Sequence, residues 1–151
     1  ETQMLELSHA LGFASKNLVH TTFEIETVGD LISEQALLCG GIFSLLEWTW
    51  KTMRGAGVPD ALIREECVTE LGLIADMLKS RGLAETFAAI SENAKIGAKL
   101  VCDDFQASNF KELLQVRADR ILDRKFIDDV KRIQMQPELL AQMQHSFRDL
   151  K

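Results

Sequence analysis

Two pairs of carboxylates stand out because the members of each pair are four residues apart and border an apolar run. Asp30 and Glu34 (the first acid pair) lead into QALLCGG, and Glu66 and Glu70 (the second acid pair) lead into LGLIADML. Residues four apart share one face of an α-helix, where like charges repel unless a proton or cation neutralises them. Two such pairs brought together would make an oxygen-only site, which suits Mg²⁺ or Mn²⁺ rather than zinc or copper.

Spacing alone does not decide between a metal site and a solvated helix face. Acidic residues are common on exposed helices and are favoured near a helix start by the helix dipole. On spacing alone, the solvated face is the preferred interpretation of both pairs, and Glu65, which lies off the apolar stripe, is interpreted as solvated. The apolar runs that follow Glu34 and Glu70 weigh in the other direction.

Other kinds of site are poorly supported by the sequence. A di-iron bundle requires Glu-x-x-His on two helices, and the three histidines are too scattered to provide it. Zinc would need clustered cysteine and histidine, and no glycine-rich nucleotide-binding motif is present. The cysteines are an odd number without a CxxC motif, so we expect reduced and mostly buried thiols at Cys39, Cys67 and Cys102.

Length and charge narrow the class of protein. The 151 residues are 46% hydrophobic and 26% charged, which fits one globular domain spanning residues 1–151. A net charge of −6 argues against nucleic acid or an anionic membrane as the main partner. No signal peptide or 18-residue apolar run stands out, so we expect neither secretion nor a membrane span. The expected location is the cytoplasm, or an organelle stroma or matrix in a eukaryote.

Helical periodicity dominates the chain and predicts an all-α fold. A long helix is predicted from Gly29 to about Arg54, and the glycines at 40 and 41 inside it indicate a kink or close packing against another backbone. Residues 17–27 are rich in β-branched and aromatic types and are predicted to form a short extended connector. Further helices are predicted over 3–16, 60–80, 84–90, from 91 onward, 105–124, 126–134 and from 137 onward.

Three blocks of sequence resemble the C-terminal helical domain of ketol-acid reductoisomerases. The segment TTFEIETVGDLISEQALLCGG is similar to the start of that domain, Glu66-Cys67-x-x-Glu70-Leu71 to its second block, and ISENAKIG to its third. The blocks stand in the family's order and at similar separations. The resemblance covers residues 5–131, is strongest over 18–100, and fades in the divergent tail 132–151.

The resemblance implies a knotted all-α domain of the 6-phosphogluconate-dehydrogenase type with two Mg²⁺ per site. It implies that the first acid pair holds one Mg²⁺, while Asp30 bridges to a second that the second acid pair also holds. Glu34 and Glu70 are implied to be catalytic, and Ser91 with Ile90 to contact the substrate.

The same resemblance implies the catalytic and dimerisation domain of a longer enzyme. That enzyme would catalyse alkyl migration and NADPH-dependent reduction of 2-acetohydroxy acids in branched-chain amino-acid biosynthesis. NADPH would bind an N-terminal domain absent from this chain, so we expect the isolated domain to be inactive. We expect a homodimer in which one site draws on both subunits. The chain begins with Glu1 rather than Met, and we expect a processed or excised piece.

Departures from the family pattern leave two alternatives open. Lys95 reverses the charge of the family's usual glutamate, and Cys102-Asp103-Asp104 stands where Gly-Pro-Arg is common. The tail also lacks the family's richness in Gly, Pro and Arg. The chain could be a diverged, non-catalytic dimerisation module, or part of a related reductoisomerase with a different substrate.

Overall fold

The computed structural model describes residues 2–15, 18–148 and 150, and within them the regular structure is helical with no strand. The prediction of an all-α fold is confirmed. The α-helices are Thr2–Ala10 (α1), Phe23–Ser33 (α2), Gly40–Gly55 (α3), Asp60–Arg64 (α4), Glu70–Arg81 (α5), Leu83–Ala89 (α6), Glu92–Ala107 (α7), Phe110–Leu122 (α8), Phe126–Gln134 (α9) and Pro137–Arg148 (α10).

A continuous helix of 33 residues, Phe23–Gly55 (the long helix), joins α2 to α3. It begins where it does because the Thr22 hydroxyl accepts a hydrogen bond from the Ile25 amide at 3.2 Å, which satisfies a free donor of the first turn. The connector predicted over 17–27 is therefore wrong in its second half. The capped helix start outweighs the β-propensity of this segment, and residue 17 lies outside the described residues.

Two π-helical turns interrupt the α-helices. The first π-turn, Glu34–Leu38, lies inside the long helix, and the second π-turn, Glu65–Thr69, joins α4 to α5. In the first, the Cys39 amide donates to the Glu34 carbonyl five residues earlier at 2.8 Å. A π-turn holds more residues than an α-turn, so it changes the angular relation between the residues on either side. Neither π-turn leaves a signal in the apolar periodicity of the sequence.

The helix predicted over 105–124 is two helices, α7 and α8. Ser108 separates them because its backbone is extended (ψ 172°) and its hydroxyl replaces helical hydrogen bonds. That hydroxyl donates to the Phe105 carbonyl at 2.8 Å and accepts from the Phe110 amide at 3.2 Å. Serine competes with helical backbone in this way, which the apolar periodicity of the segment hides.

The buried core of the single chain is small. Four of the described residues are buried, namely Trp50, Ile63, Thr86 and Ile121. Trp50 anchors α3 to the start of α4, since its ring Nε1 donates to Asp60 Oδ1 at 3.2 Å. The Arg54 guanidinium holds the same carboxylate with two bonds of 2.8 and 3.0 Å.

The C-terminal helix α10 packs against α3. The rings of Phe43 and Phe147 meet edge to face with centroids 6.0 Å apart. One turn further along, the Ser146 hydroxyl donates to the Glu47 carboxylate, which also accepts from Lys51 Nζ at 2.5 Å. The tail that diverges from the family pattern is thus tied to the long helix by an aromatic and a polar contact.

The long helix is long and apolar enough to cross a bilayer, by length and composition alone. This differs from the expectation that no apolar run of that length exists. None of its most apolar window is buried within the single chain. Helices that pack against another protein surface share these properties, and ionised carboxylates such as those of the first acid pair are unfavourable inside a bilayer.

Replacing Asp60 with asparagine should lower the stability of the domain at pH 7. Hydrogen bonding from Arg54 lowers the pKa of the Asp60 carboxyl, and a smaller contribution comes from Trp50. A pKa depressed in the folded state stabilises above the unfolded pKa and loses that effect as pH falls through the folded pKa. Urea unfolding between pH 7 and pH 3 should therefore show a weaker acid dependence in Asp60→Asn.

Asp76→Asn is the matched control, because Asp76 is an exposed carboxylate of α5 whose side chain forms no hydrogen bond or ion pair in the described structure. Equal unfolding free energies for the two variants at every pH would contradict the role assigned to Asp60.

Candidate functional site

The first acid pair lies where α2 passes into the first π-turn. Asp30 is in the last turn of α2 and Glu34 is the first residue of the π-turn, so the two keep α-helical spacing and share a face. Both side chains are exposed. Their two carboxylates are therefore presented together, on the outside of the single chain.

The second acid pair spans the second π-turn. Glu66 lies within that turn and Glu70 begins α5, and both are exposed. They border an apolar groove of about 340 Å³ between α3 and α5. Its apolar lining comes from both helices and includes Ile42, Leu45, Leu46, Leu71 and Ile74. The second pair is thus placed on the rim of a surface that could receive another apolar element.

The single chain does not bring the two acid pairs together. Among the described residues, no three Asp, Glu, His or Cys side chains lie close enough to hold a metal ion. Nor do the four side-chain carboxylates of these pairs form a salt bridge or hydrogen bond in that part of the chain, whereas Asp60 and Asp129 are held by arginines. Unpaired carboxylates are the donor set that Mg²⁺ requires, so the residues fit this ion in type, and each pair supplies half of a ligand set.

The double glycine that follows the first acid pair has a local cause. A Cβ on Gly40 would lie far inside contact distance of the Gln35 carbonyl oxygen and 3.0 Å from its carbon. A Cβ on Gly41 would crowd the Ala36 carbonyl in the same way, 3.3 Å from its carbon. The sequence predicted a kink or close approach of another backbone. The close neighbours are carbonyls of the same helix five residues earlier, in the π-turn.

Ser91 and Ile90 lie between α6 and α7. Ser91 caps α7, since its hydroxyl accepts from the Ala94 amide at 3.3 Å, and its side chain is exposed. Ile90 is half-buried. In the same first turn, Lys95 lies 3.9 Å from the Glu92 carboxylate, so its charge is partly compensated within α7. The exposed hydroxyl at a helix N-terminus can donate to a ligand while it accepts from the backbone.

The cysteines differ from expectation. Cys39 and Cys102 are exposed, so the prediction of mostly buried thiols is wrong for them, and only Cys67 is half-buried. Burial, and secondly the charge of Glu66, raises the pKa of the Cys67 thiol. A raised pKa favours the unreactive thiol at neutral pH. Cys67 also contacts the Met53 sulfur at 3.7 Å, which is core packing rather than nucleophile activation.

Comparison with known proteins decides the family. The profile of "Ketol-acid reductoisomerase, C-terminal domain" matches residues 23–149. The chain belongs to this family. It is 33% identical over 129 residues to "Ketol-acid reductoisomerase (NADP(+))" of Renibacterium salmoninarum, an alignment that covers 83% of this chain and 38% of that protein.

A solved structure agrees with the assignment. The fold matches the NADH-preferring ketol-acid reductoisomerase from an uncultured archean with a TM-score of 0.80 and 27% identity, over 95% of this chain and 44% of that one. The chain therefore spans less than half the length of the relatives it matches. The resemblance read from the three sequence blocks is confirmed, and the expected knot stays a prediction.

Two features near the first acid pair were missed by sequence reasoning. The first is the π-turn at Glu34–Leu38, for which the sequence signal was the double glycine five residues after Gln35 and Ala36. The second is the Gln35 side chain, whose Nε2 is buried without a partner beside a cavity of about 410 Å³ that Arg117 and Trp48 also line. Trp48 is 61% exposed, whereas Trp50 is buried, so only one of the two tryptophans belongs to the core of the single chain.

Replacing Ser91 with alanine should lower the free energy of unfolding by about 1 kcal/mol, because α7 loses its N-cap. Ser91→Asn should retain most of the stability, since asparagine is an equally good cap. Urea unfolding measures both. Ser80→Ala is the control, because the Ser80 hydroxyl only donates back to the Asp76 and Met77 carbonyls inside α5. Unchanged stability of Ser91→Ala would show that the hydroxyl does not cap α7 in solution.

Proposed function

We propose that this chain is the metal-binding domain of a ketol-acid reductoisomerase-like enzyme and that two copies complete each site. In this arrangement the first acid pair of one copy meets the second acid pair of the other. The observation that carries the proposal is the separation of the two pairs within one chain, combined with family membership. Each pair is exposed, unpaired and adjacent to a π-turn, a feature that often marks functional sites in helices.

The surface area of the single chain supports a closely paired partner. A folded monomer of 17.0 kDa exposes about 7,700 Å² by the usual scaling with mass, whereas this chain exposes 12,070 Å². The excess of about 4,400 Å² per chain, or about 8,800 Å² for two copies, is far above the standard interface total of about 1,600 Å² and belongs to the class of large obligate interfaces. The exposed apolar part of the long helix and the groove beside the second acid pair are apolar surfaces that such a partner would cover.

Shape favours a second copy at the second acid pair, and charge does so once cations are bound. The groove is apolar along its floor and acidic at its rim, and the long helix is apolar with the first acid pair at one edge. An isologous two-fold contact would place each long helix against the other copy's groove and generate two equivalent sites. Convergence of four carboxylates is unfavourable without cations, so this pairing requires the metal that the donor set fits.

The residues of this chain would have different roles in the proposed site. When bound, Mg²⁺ supplies Lewis-acid polarisation of the carbonyl and hydroxyl oxygens of a 2-acetohydroxy acid. Asp30 and Glu66 would hold the ions. Glu34 and Glu70, besides serving as ligands, each carry a second carboxylate oxygen that can accept or return a hydroxyl proton. The Ser91 hydroxyl donates to the substrate, and Ile90 provides the apolar contact beside it.

The dinucleotide is proposed to bind outside this chain. The relative from Renibacterium salmoninarum carries NADP(+) in its name, whereas the archaeal structure is named NADH-preferring. The choice between the two cofactors therefore varies among proteins that share this domain. We propose that an N-terminal domain preceding this one supplies NADPH binding.

Mg²⁺ should stabilise this domain against unfolding. A ligand present at 100 times its Kd raises the free energy of unfolding by about 2.7 kcal/mol if it binds only the folded state. Thermal unfolding with and without Mg²⁺ measures the effect. Asp30→Asn should abolish it, because Asp30 would be one of the ligands, while Asp76→Asn should leave it intact. If Mg²⁺ does not change the melting temperature of the unsubstituted chain, the alternative of a dimerisation module without a functional metal site is favoured.

Mixed dimers test whether the site is shared between copies. One chain carries Asp30→Asn with Glu34→Gln, and the other carries Glu66→Gln with Glu70→Gln. Each homodimer should bind no Mn²⁺ tightly, since every site lacks half its ligands. The purified heterodimer should regain about half of the sites, because one of its two symmetry-related sites receives both intact pairs. Mn²⁺ binding measured by electron paramagnetic resonance reports the stoichiometry, and a heterodimer without tight sites would exclude sharing.

A further inference from the structure

We infer that Gly40 and Gly41 are positioning residues for the metal ligands of the first acid pair, acting through the first π-turn. This inference rests on the proposed function, because it names what sets the direction of the Asp30 and Glu34 carboxylates. The glycines touch no ligand themselves. Their role is to leave room for two backbone carbonyls, and the π-turn that those carbonyls belong to fixes how α2 is rotated relative to α3.

The space requirement is specific and local. The Gln35 and Ala36 carbonyls of the π-turn point at the positions where a Cβ on residue 40 or 41 would stand. In both cases the obstructing atoms are backbone, which cannot swing aside as a flexible side chain would. Both glycines have ordinary negative φ, so a backbone preference for glycine is not the cause. An L-residue at either position is therefore incompatible with the π-turn as it stands.

The second π-turn provides an internal comparison. The residues that follow it at the equivalent distance are Leu71 and Gly72. A leucine is accommodated at the first position, and a Cβ on Gly72 would meet nothing within 4 Å. Glycine is thus not a general requirement after a π-turn in this chain. It is required only beside the first acid pair, where the carbonyls lie closest to the following turn.

Loss of the first π-turn would turn the first acid pair away from its site. If alanine at residue 40 forced Glu34–Leu38 into regular α-helix, everything before it would rotate by about 100° and shift about 1.5 Å along the axis relative to α3. The α3 segment is fixed by Trp50 against α4 and by Phe43 against α10. The rotation would therefore fall on α2, and the carboxylates of the first acid pair would stay together but face a different direction relative to α3.

Removing one residue from the π-turn should reverse this effect. A straight helix that is shorter by one residue restores the original angle between α2 and α3 without the bulge. Leu37 is suited to deletion because it is 59% exposed in the single chain. In that background the alanine that replaces Gly40 meets ordinary helix geometry. The deletion thus separates two explanations of Gly40, namely room for the π-turn and room for some other neighbour.

The experiment compares four forms of this chain: unsubstituted, Gly40→Ala, Gly40→Ala with deletion of Leu37, and Gly72→Ala as the matched control. Mn²⁺ affinity is measured by electron paramagnetic resonance, and folding by circular dichroism and urea unfolding. Gly40→Ala should bind Mn²⁺ about 10- to 100-fold more weakly, the range found when ligand-supporting residues are changed. The deletion should restore both folding and affinity, and Gly72→Ala should match the unsubstituted chain.

Each outcome decides between distinct statements. If the unsubstituted chain binds no Mn²⁺, the proposed function fails and the inference fails with it. If the unsubstituted chain binds and Gly40→Ala binds equally well, only the inference is overturned. If Gly40→Ala unfolds but the deletion refolds it with Mn²⁺ binding, the inference stands. A Gly40→Ala chain with the deletion that stays unfolded, or folds without binding, overturns it, because alanine is then harmful for a reason other than the π-turn.

Discussion

The angular relation between the two halves of the long helix is the constraint on which the domain depends. In a regular α-helix each residue is rotated by 100° from the last, so the sequence separation of two residues fixes the surfaces they face. The first half of the long helix packs against α8 and α9 around a cavity of about 410 Å³, and the second half packs against α4 and α10. The first acid pair must at the same time point away from both contacts. The π-turn between the halves sets the rotation that allows both packing contacts to form while the first acid pair stays exposed.

The first π-turn is energetically unfavourable, and so are the two glycines that follow it inside the long helix. π-Helical geometry is rare because it is less favourable than the α-helix, and it persists where the surrounding structure requires it. The chain meets the requirement with two consecutive glycines, each less favourable than alanine by about 1 kcal/mol inside a helix. The π-turn and the two glycines therefore both lower stability at the same point of the long helix. Such locally unfavourable structure next to unpaired carboxylates is typical of a functional site and not of a purely structural segment.

More of the fold than of the site could be predicted from the sequence. Apolar spacing survives a single π-turn, so periodicity located the long helix. It missed the helix start after Thr22 and the break at Ser108, because side-chain hydrogen bonds at helix ends carry little periodic signal. Spacing identified both acid pairs. It could not show that the two pairs lie apart in the single chain, because that depends on how the helices pack. An apolar stripe also indicates a covered surface without saying which chain covers it, and Leu37 and Leu38 are 59% and 49% exposed in the single chain.

Electrostatic repulsion between the acid pairs would oppose association of two copies through their exposed apolar surfaces. Each copy carries a net charge of −6, and two copies that meet at their acid pairs would bring carboxylates together on an already acidic surface. Such repulsion opposes the apolar contact that the exposed long helix favours. Divalent cations reverse the sign of the electrostatic contribution at the point where it is most unfavourable. Under the proposed arrangement, metal binding and association of the two copies are therefore linked equilibria. The carboxylates that would bind the metal would also repel the other copy when no metal is bound.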